Sequence, residues 1–221
     1  MKRIYGFGLL VLVCLSVRVD AATVLENKKG DIYISAGNEK GISIGTIFNV
    51  YRNKEVEAEF GSLKFTTRIF LGRVYAYKVA KYQTVARVKE LPAVSEAENK
   101  AIIKGDIAQP AFILSADDLF QKGEDDLLAT GINKMEHLLK FVKRFKPLKI
   151  RIEVHSDDDL KNAIKKTRTQ ARSVRGWLVN KGKFDEKLFV PDGYGGRKPL
   201  ASNKTPEGKR TNRRVEIIIE N

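Results

Sequence analysis

The chain has 221 residues, with 41 Lys and Arg against 27 Asp and Glu, and a formal net charge of +14. One cysteine excludes an internal disulfide framework, and two histidines with that cysteine make a zinc site a poor expectation. A cationic surplus of this size favours an anionic partner.

Met1-Lys2-Arg3 supplies a short positive start, and Ile4 to Val17 is an apolar run broken by glycines and Cys14. Val19-Asp20-Ala21 then offers small residues at the positions a signal peptidase reads, so residues 1–21 read as a secretory signal cut after Ala21. The run is short for a membrane span of about 20 residues. Cys14 closes it as a lipoprotein acceptor would, but Val13 before it and Arg18 after it argue against acylation. Removing the signal leaves a charge of +12. An exported basic chain seldom meets nucleic acid, which leaves cell-wall carboxylates and anionic lipid head groups as candidate partners.

Residues 22–109 read as a small β-barrel or β-sandwich domain. Asp31 to Ser35, Thr46 to Tyr51, Ile69 to Val79 and Gln83 to Val88 are rich in β-branched and aromatic residues. Turn signals fall at Gly37-Asn38, Gly41, Gly45, Arg52-Asn53-Lys54 and Gly61. A transmembrane barrel needs at least about eight strands of about ten residues, more than this segment holds. Pro92 to Lys100 reads as a polar loop, Ala101 to Ile103 as the last strand, and Asp106 to Pro110 as a short linker. The glycine and aspartate spacing loosely resembles small β-domains of envelope and flagellar-assembly proteins.

Residues 111–221 change texture. Ala111 to Leu114 is a short strand, and Leu128, Ile132, Met135, Leu139 and Val142 lie on one face of a helix ending before Pro147. Lys149 to Val154 alternates charge and aliphatic, the mark of a strand with one buried face. It runs into His155-Ser156-Asp157-Asp158-Asp159 and then a basic helix carrying Ala171, Val174 and Leu178 on one face. Carboxylates where a strand meets a helix N-terminus suit the helix dipole and sit where α/β sheets often place ligands. Phe184 to Val190, a Gly193-Tyr194-Gly195-Gly196 turn, a short helix before Thr205 and a closing strand Val215 to Ile219 complete the order βαβαβ(α)β. The fold class is α+β.

The strand with His155-Ser156-Asp157 resembles the strand-then-HTD signature of the OmpA-like C-terminal domain family. Gly193-Tyr194-Gly195 with Pro199, Ala201 and Asn203 is similar to that family's GyG…Pia.N segment. Thr205-Pro206-Glu207-Gly208 and Asn212-Arg213-Arg214-Val215-Glu216-Ile217 are similar to its closing motifs. The resemblance covers roughly half the chain, in order, and implies non-covalent peptidoglycan binding in the periplasm, with association to the outer membrane as a further expectation.

It also implies a site for the zwitterionic centre of a stem-peptide diaminopimelate. An aspartate after the strand accepts from the amino group, and an arginine on the next helix grips a carboxylate through two donors. Ser156 and Asp157 take the first place, although a helix-capping role for Asp157 is an alternative. Counting back from the buried face, the family arginine falls on Gln170, whereas counting forward from Asp157 gives Arg172. Helix register follows the buried face, which favours Gln170, and a neutral amide does not replace a guanidinium. Arg213 is a further candidate, because the family places that arginine near the ligand. The expected partners are the peptidoglycan stem peptide and, through the β-domain, another envelope protein. No cofactor, no metal and no catalytic residue is expected: His155 lacks a nucleophile with a matched base. The competing expectation is an envelope scaffold whose OmpA-like domain no longer binds diaminopimelate.

Overall fold

The computed structural model describes residues 21–57, 64–92, 101–121, 124–157 and 161–220. Residues 1–20 with Cys14, most of the polar loop after Pro92, and Asp158 and Asp159 lie outside the described residues. Helices and one large mixed sheet make the class α+β.

The N-terminal part is a run of antiparallel strands: β1 (Val24–Lys28), β2 (Asp31–Ile34), β3 (Ile47–Glu57), β4 (Lys64–Val79) and β5 (Thr84–Glu90), followed by β6 (Ile107–Ser115). Their order in the sheet is β1-β2-β5-β4-β3-β6. The ends meet again, because Thr23 bridges Ile107 and the Val24 amide donates to the Asp106 carbonyl at 2.8 Å. The strands thereby close into a barrel-like ring. Val24, Ile32, Ile34, Phe48, Val50, Leu71 and Val74 are buried in its interior. Gly72 carries a positive φ of 145°, at a bulge where a Cβ would meet the Glu90 carbonyl oxygen at 2.6 Å.

Three readings of this region need correction. Strand β1 was not expected, since VLENK buries only Val24 and shows no alternation. Arg52-Asn53-Lys54 is not a turn but part of β3, which pairs with β4 as far as Glu57 opposite Lys64. Ala101 to Ile103 is not a strand, and Ile107 to Pro110 of the expected linker lie in β6. Pro110 does mark a boundary of another kind. Up to Ala111, β6 pairs with β3 through residues 107–111; from Ala111 on, it pairs with β9 through residues 111–115. Proline lacks the amide a fully flanked strand uses, and here it precedes the residue where the second neighbour begins.

The C-terminal part runs from β6 through α1 (Ala116–Leu119), α2 (Ile132–Lys143), β7 (Lys149–His155), α3 (Lys161–Gly182), β8 (Phe189–Gly195), α4 (Pro206–Asn212) and β9 (Arg214–Glu220). Strands follow the order β6-β9-β7-β8, with β7 and β8 parallel and β9 antiparallel to β7. Helix α2 starts at Ile132 and buries Met135, Leu138, Phe141 and Val142, so its stripe is shorter than expected and turned towards Leu138 and Phe141. Ala171, Val174 and Leu178 of α3 are fully buried, as the periodicity predicts. The short helix follows Thr205 instead of preceding it: the Thr205 hydroxyl caps α4 by accepting from the Gly208 amide at 3.0 Å. No helix among the described residues is long and apolar enough to cross a membrane.

Candidate functional site

The Gly193-Tyr194-Gly195 motif belongs to strand β8, not to a turn, and its first glycine is set by packing against α3. A Cβ on Gly193 would lie 2.1 Å from the Arg168 backbone nitrogen. The Gly195 amide donates to the Thr167 hydroxyl at 3.1 Å, and the Ser156 amide donates to the Gly195 carbonyl at 2.8 Å. The end of β7 is thereby held against α3 and β8 together.

Asn212 builds the opposite wall. It is fully buried; its carbonyl oxygen accepts from the Leu200 and Ala201 amides at 2.7 and 3.0 Å. Its amide nitrogen donates to the Ala201 carbonyl and to the Asn203 side-chain oxygen, at 2.7 and 2.6 Å. Asn203 in turn donates to the Asp157 backbone carbonyl at 3.0 Å. The Pro199–Asn203 and Asn212-Arg213 motifs, distant in sequence, thus converge on Asp157.

At that corner Arg213 joins two carboxylates. Its Nε and one Nη grip Asp117 at 2.8 Å each, and its other Nη donates to Asp157 Oδ2 at 3.0 Å. The hydrogen bonds that Arg213 donates to Asp117, with the charges of both aspartates, push its guanidinium still further from losing its proton. The corner is only partly covered, with the Arg213 and Asp157 side chains 30% and 23% exposed, so it stays open to a ligand. Asp117 was not among the expected site residues. The signal was present, since an acidic pair directly follows the first strand of this half, but nothing in the sequence sets it opposite Arg213.

The two candidates on α3 go elsewhere. Gln170 is 6% exposed and donates to the Glu124 backbone carbonyl at 3.0 Å, tying α3 to the segment before α2. Arg172 is exposed and forms no ion pair among the described residues. The structure brings Ser156, Asp157 and Arg213 to one corner and leaves Gln170 engaged in packing. Among the described residues no group of three or more His, Cys, Asp or Glu side chains is placed to hold a metal ion.

Residues 119–213 match the model of the OmpA family. This part of the chain is an OmpA-family domain. Motility protein B of Bacillus subtilis (strain 168) is 50% identical over 50 residues, covering 23% of this chain and 19% of that protein. Outer membrane protein A of Bordetella avium is 46% identical over 56 residues, covering 25% of this chain and 28% of that protein. The chain therefore spans less than a third of the length of these curated relatives. Among solved structures, the cell wall anchor of the T6SS from Pseudomonas aeruginosa aligns over 56% of this chain and 86% of its own, at 21% identity and TM-score 0.47. The periplasmic domain of Helicobacter pylori MotB (residues 78-256) aligns over 76% and 88%, at 17% identity and TM-score 0.46.

The other face of the same sheet is charged and buried. On β7, Ile150, Ile152 and Val154 alternate with Arg151, Glu153 and His155, and on β9 Arg214 and Glu216 share that second face. The outer surface of the barrel covers it. Arg73 of β4 donates to Glu216 at 2.6 Å and to Glu90 at 2.5 Å, and Asn49 of β3 donates to Glu216 at 2.7 Å. Arg214 donates to the same carboxylate at 2.6 Å. Burial alone would raise the Glu216 carboxyl; the guanidiniums of Arg73 and Arg214 overturn that and hold it far below the usual carboxylate range.

Proposed function

We propose that the OmpA-family domain binds peptidoglycan non-covalently at the Asp157–Arg213 corner, without catalysis, in the periplasm. The barrel then presents or receives another envelope protein, linking the wall to it. The observation that carries this reading is the pairing itself. Asp157 uses one oxygen on Arg213, and its other oxygen has no partner among the described residues. Arg213 commits three N–H groups to Asp117 and Asp157, out of the five a guanidinium owns. A free carboxylate oxygen beside spare guanidinium donors is complementary to a zwitterion, with its amino group on Asp157 and its carboxylate on Arg213. The family's arginine position on α3 contributes no charge here, so Arg213 carries the carboxylate contact in its place.

Co-sedimentation with intact sacculi tests this. Asp157→Asn should weaken binding about tenfold or more, from the loss of one charge-assisted contact of about 1.5–3 kcal/mol. Arg213→Gln should weaken binding to sacculi containing diaminopimelate as well, by loss of the carboxylate contact. Equal binding by wild type and Asp157→Asn would remove this corner from consideration.

One observation favours the second reading, an envelope scaffold that no longer binds diaminopimelate: Gln170 is buried and satisfied by the Glu124 carbonyl. Under it, wild type stays in the supernatant with every sacculus preparation.

A further inference from the structure

Between the barrel and the helix-free face of the OmpA-family domain lies a cleft of about 290 Å³. Its floor is the charged face of β7 and β9, one wall is the β3–β4 hairpin at Tyr51 and Arg68–Phe70, and the other is the Arg197–Leu200 segment. It is a separate place from the Asp157 corner, because Arg151, Glu153 and His155 point to the sheet face opposite the helices. A single water takes about 30 Å³ of liquid volume, so the cleft is on the scale of a small organic molecule.

His155 lines the floor. It is 2% exposed, and neither ring nitrogen has a hydrogen-bond partner among the described residues. The nearest carboxylates, Glu153 and Glu216, stand 3.6 and 3.7 Å from its Nε2, beyond a good hydrogen bond. Tyr194 stacks on the ring at 5.3 Å between centroids and fixes its orientation. Burial, joined by the Arg214 charge, outweighs the nearby carboxylates and holds the imidazole below the ordinary histidine value, which favours the neutral ring. It therefore offers one donor and one acceptor. A buried side chain with both groups unused is uncommon.

Charge decides what kind of ligand fits. The acids on the floor are already matched, Glu153 by Arg151 at 2.6 Å and Glu216 by Arg214 and Arg73 at 2.6 Å each. The rim cations are held less firmly. Arg197 is exposed and has no ion pair among the described residues. Lys198 lies 3.9 Å from Glu153, its ammonium 3.6 Å from the Tyr194 ring centroid. Ile69, Phe70, Pro92 and Pro199 give the walls an apolar stretch between floor and rim.

We propose that this cleft binds a small organic anion, a carboxylate or phosphate on a compact body, with Arg197 and Lys198 holding the charge and His155 hydrogen-bonding the far end. The two ring nitrogens are the reporter, and exposed His137 on α2 is the internal control. Imidazole nitrogen shifts are followed by NMR on the full mature chain while glycerol 3-phosphate, or in a second arm glutarate, is added at constant ionic strength. The expected result is a saturable shift at His155, none at His137, and binding about tenfold weaker or more in the Arg197→Ala/Lys198→Ala double variant. Both rim residues are exposed, so the variant keeps its fold, and its circular dichroism verifies this. The arm with the tighter titration assigns the charged group as phosphate or carboxylate. No movement at His155 with either probe at millimolar concentration, equal movement with sodium chloride, or an unchanged titration in the double variant overturns the proposal.

Discussion

The interaction that sets the barrel against the OmpA-family domain is centred on Arg73, and replacing it by methionine tests the account most directly. Arg73 is 3% exposed and makes three side-chain contacts: Glu216 at 2.6 Å, Glu90 at 2.5 Å and the Asn49 side-chain oxygen at 3.1 Å. Removing one partner of a buried pair costs about 3–5 kcal/mol, because the remaining charge is stranded away from water. Here Glu216 keeps Arg214 at 2.6 Å and Asn49 at 2.7 Å, so the loss should fall at the low end, about 3 kcal/mol. Glu216→Gln on the Arg73→Met background should add less than it costs alone, with a coupling of about 1–3 kcal/mol. Urea unfolding measures both. Trp177, the only tryptophan, sits on α3 and reports the C-terminal half by fluorescence, while circular dichroism reports the whole sheet. A loss under about 1 kcal/mol for Arg73→Met, or strict additivity with Glu216→Gln, would mean that the network is solvated and does not join the halves.

Three further outcomes are expected. His155 holds its proton less tightly when folded, so between its folded value and about 6.5 the unfolded chain binds the extra proton. Its contribution is complete above about pH 6.5 and is lost as the pH falls, by at most about 1.4 kcal/mol per pH unit; urea midpoints should show this slope in wild type and lack it in His155→Gln. Glu216, also held below its ordinary value, adds a separate loss only below about pH 4.5, which survives in His155→Gln. Gly193→Ala should destabilise by about 2 kcal/mol or more, since its new methyl group meets the α3 backbone at Arg168 instead of a side chain that can turn away. A thermal midpoint within a degree or so of wild type would show that β8 has room to retreat.

Much of the C-terminal half is legible in the sequence because its strands and helices have one apolar face each. Ala171, Val174 and Leu178 give the register of α3 directly, and Asn212 and Gly193 carry motif positions whose reasons become visible only as hydrogen bonds and close approach. What stays hidden has a common cause. Arg151, Glu153 and His155 read as the solvated side of a half-buried strand, yet β7 is buried on both faces beyond Arg151. Alternation tells which residues share a face, not whether a second charged surface lies on it. The β3–β4 arm is missed for the converse reason: from Arg52 to Glu57 and from Lys64 to Arg68 it is largely exposed, so no period-two burial marks it as a strand. At the corner, Asp157 and Arg213 are suggested by motif, but Asp117 depends on a contact 96 residues apart in sequence.

The two halves meet along one strand, and that geometry explains why the contacts around it are of two kinds. A strand shared end to end, paired with β3 before Ala111 and with β9 after it, leaves rotation about its own axis open. Contacts on one side alone would leave the halves free to open like a book. On the helix side, Gly41 has a φ of 82° and lies so near α2 that a Cβ would sit 2.4 Å from the Arg144 carbonyl oxygen, while the Arg144 guanidinium reaches the Ser43 hydroxyl. On the opposite side stands the Arg73–Glu216–Arg214 cluster. An apolar patch there would tolerate sliding, because hydrophobic contact has no direction. A carboxylate held by two guanidiniums and an amide accepts only one arrangement, so the buried charges contribute orientation more than stability. The cleft beside them owes its shape to that fixed angle, since its floor belongs to one half and its hairpin wall to the other.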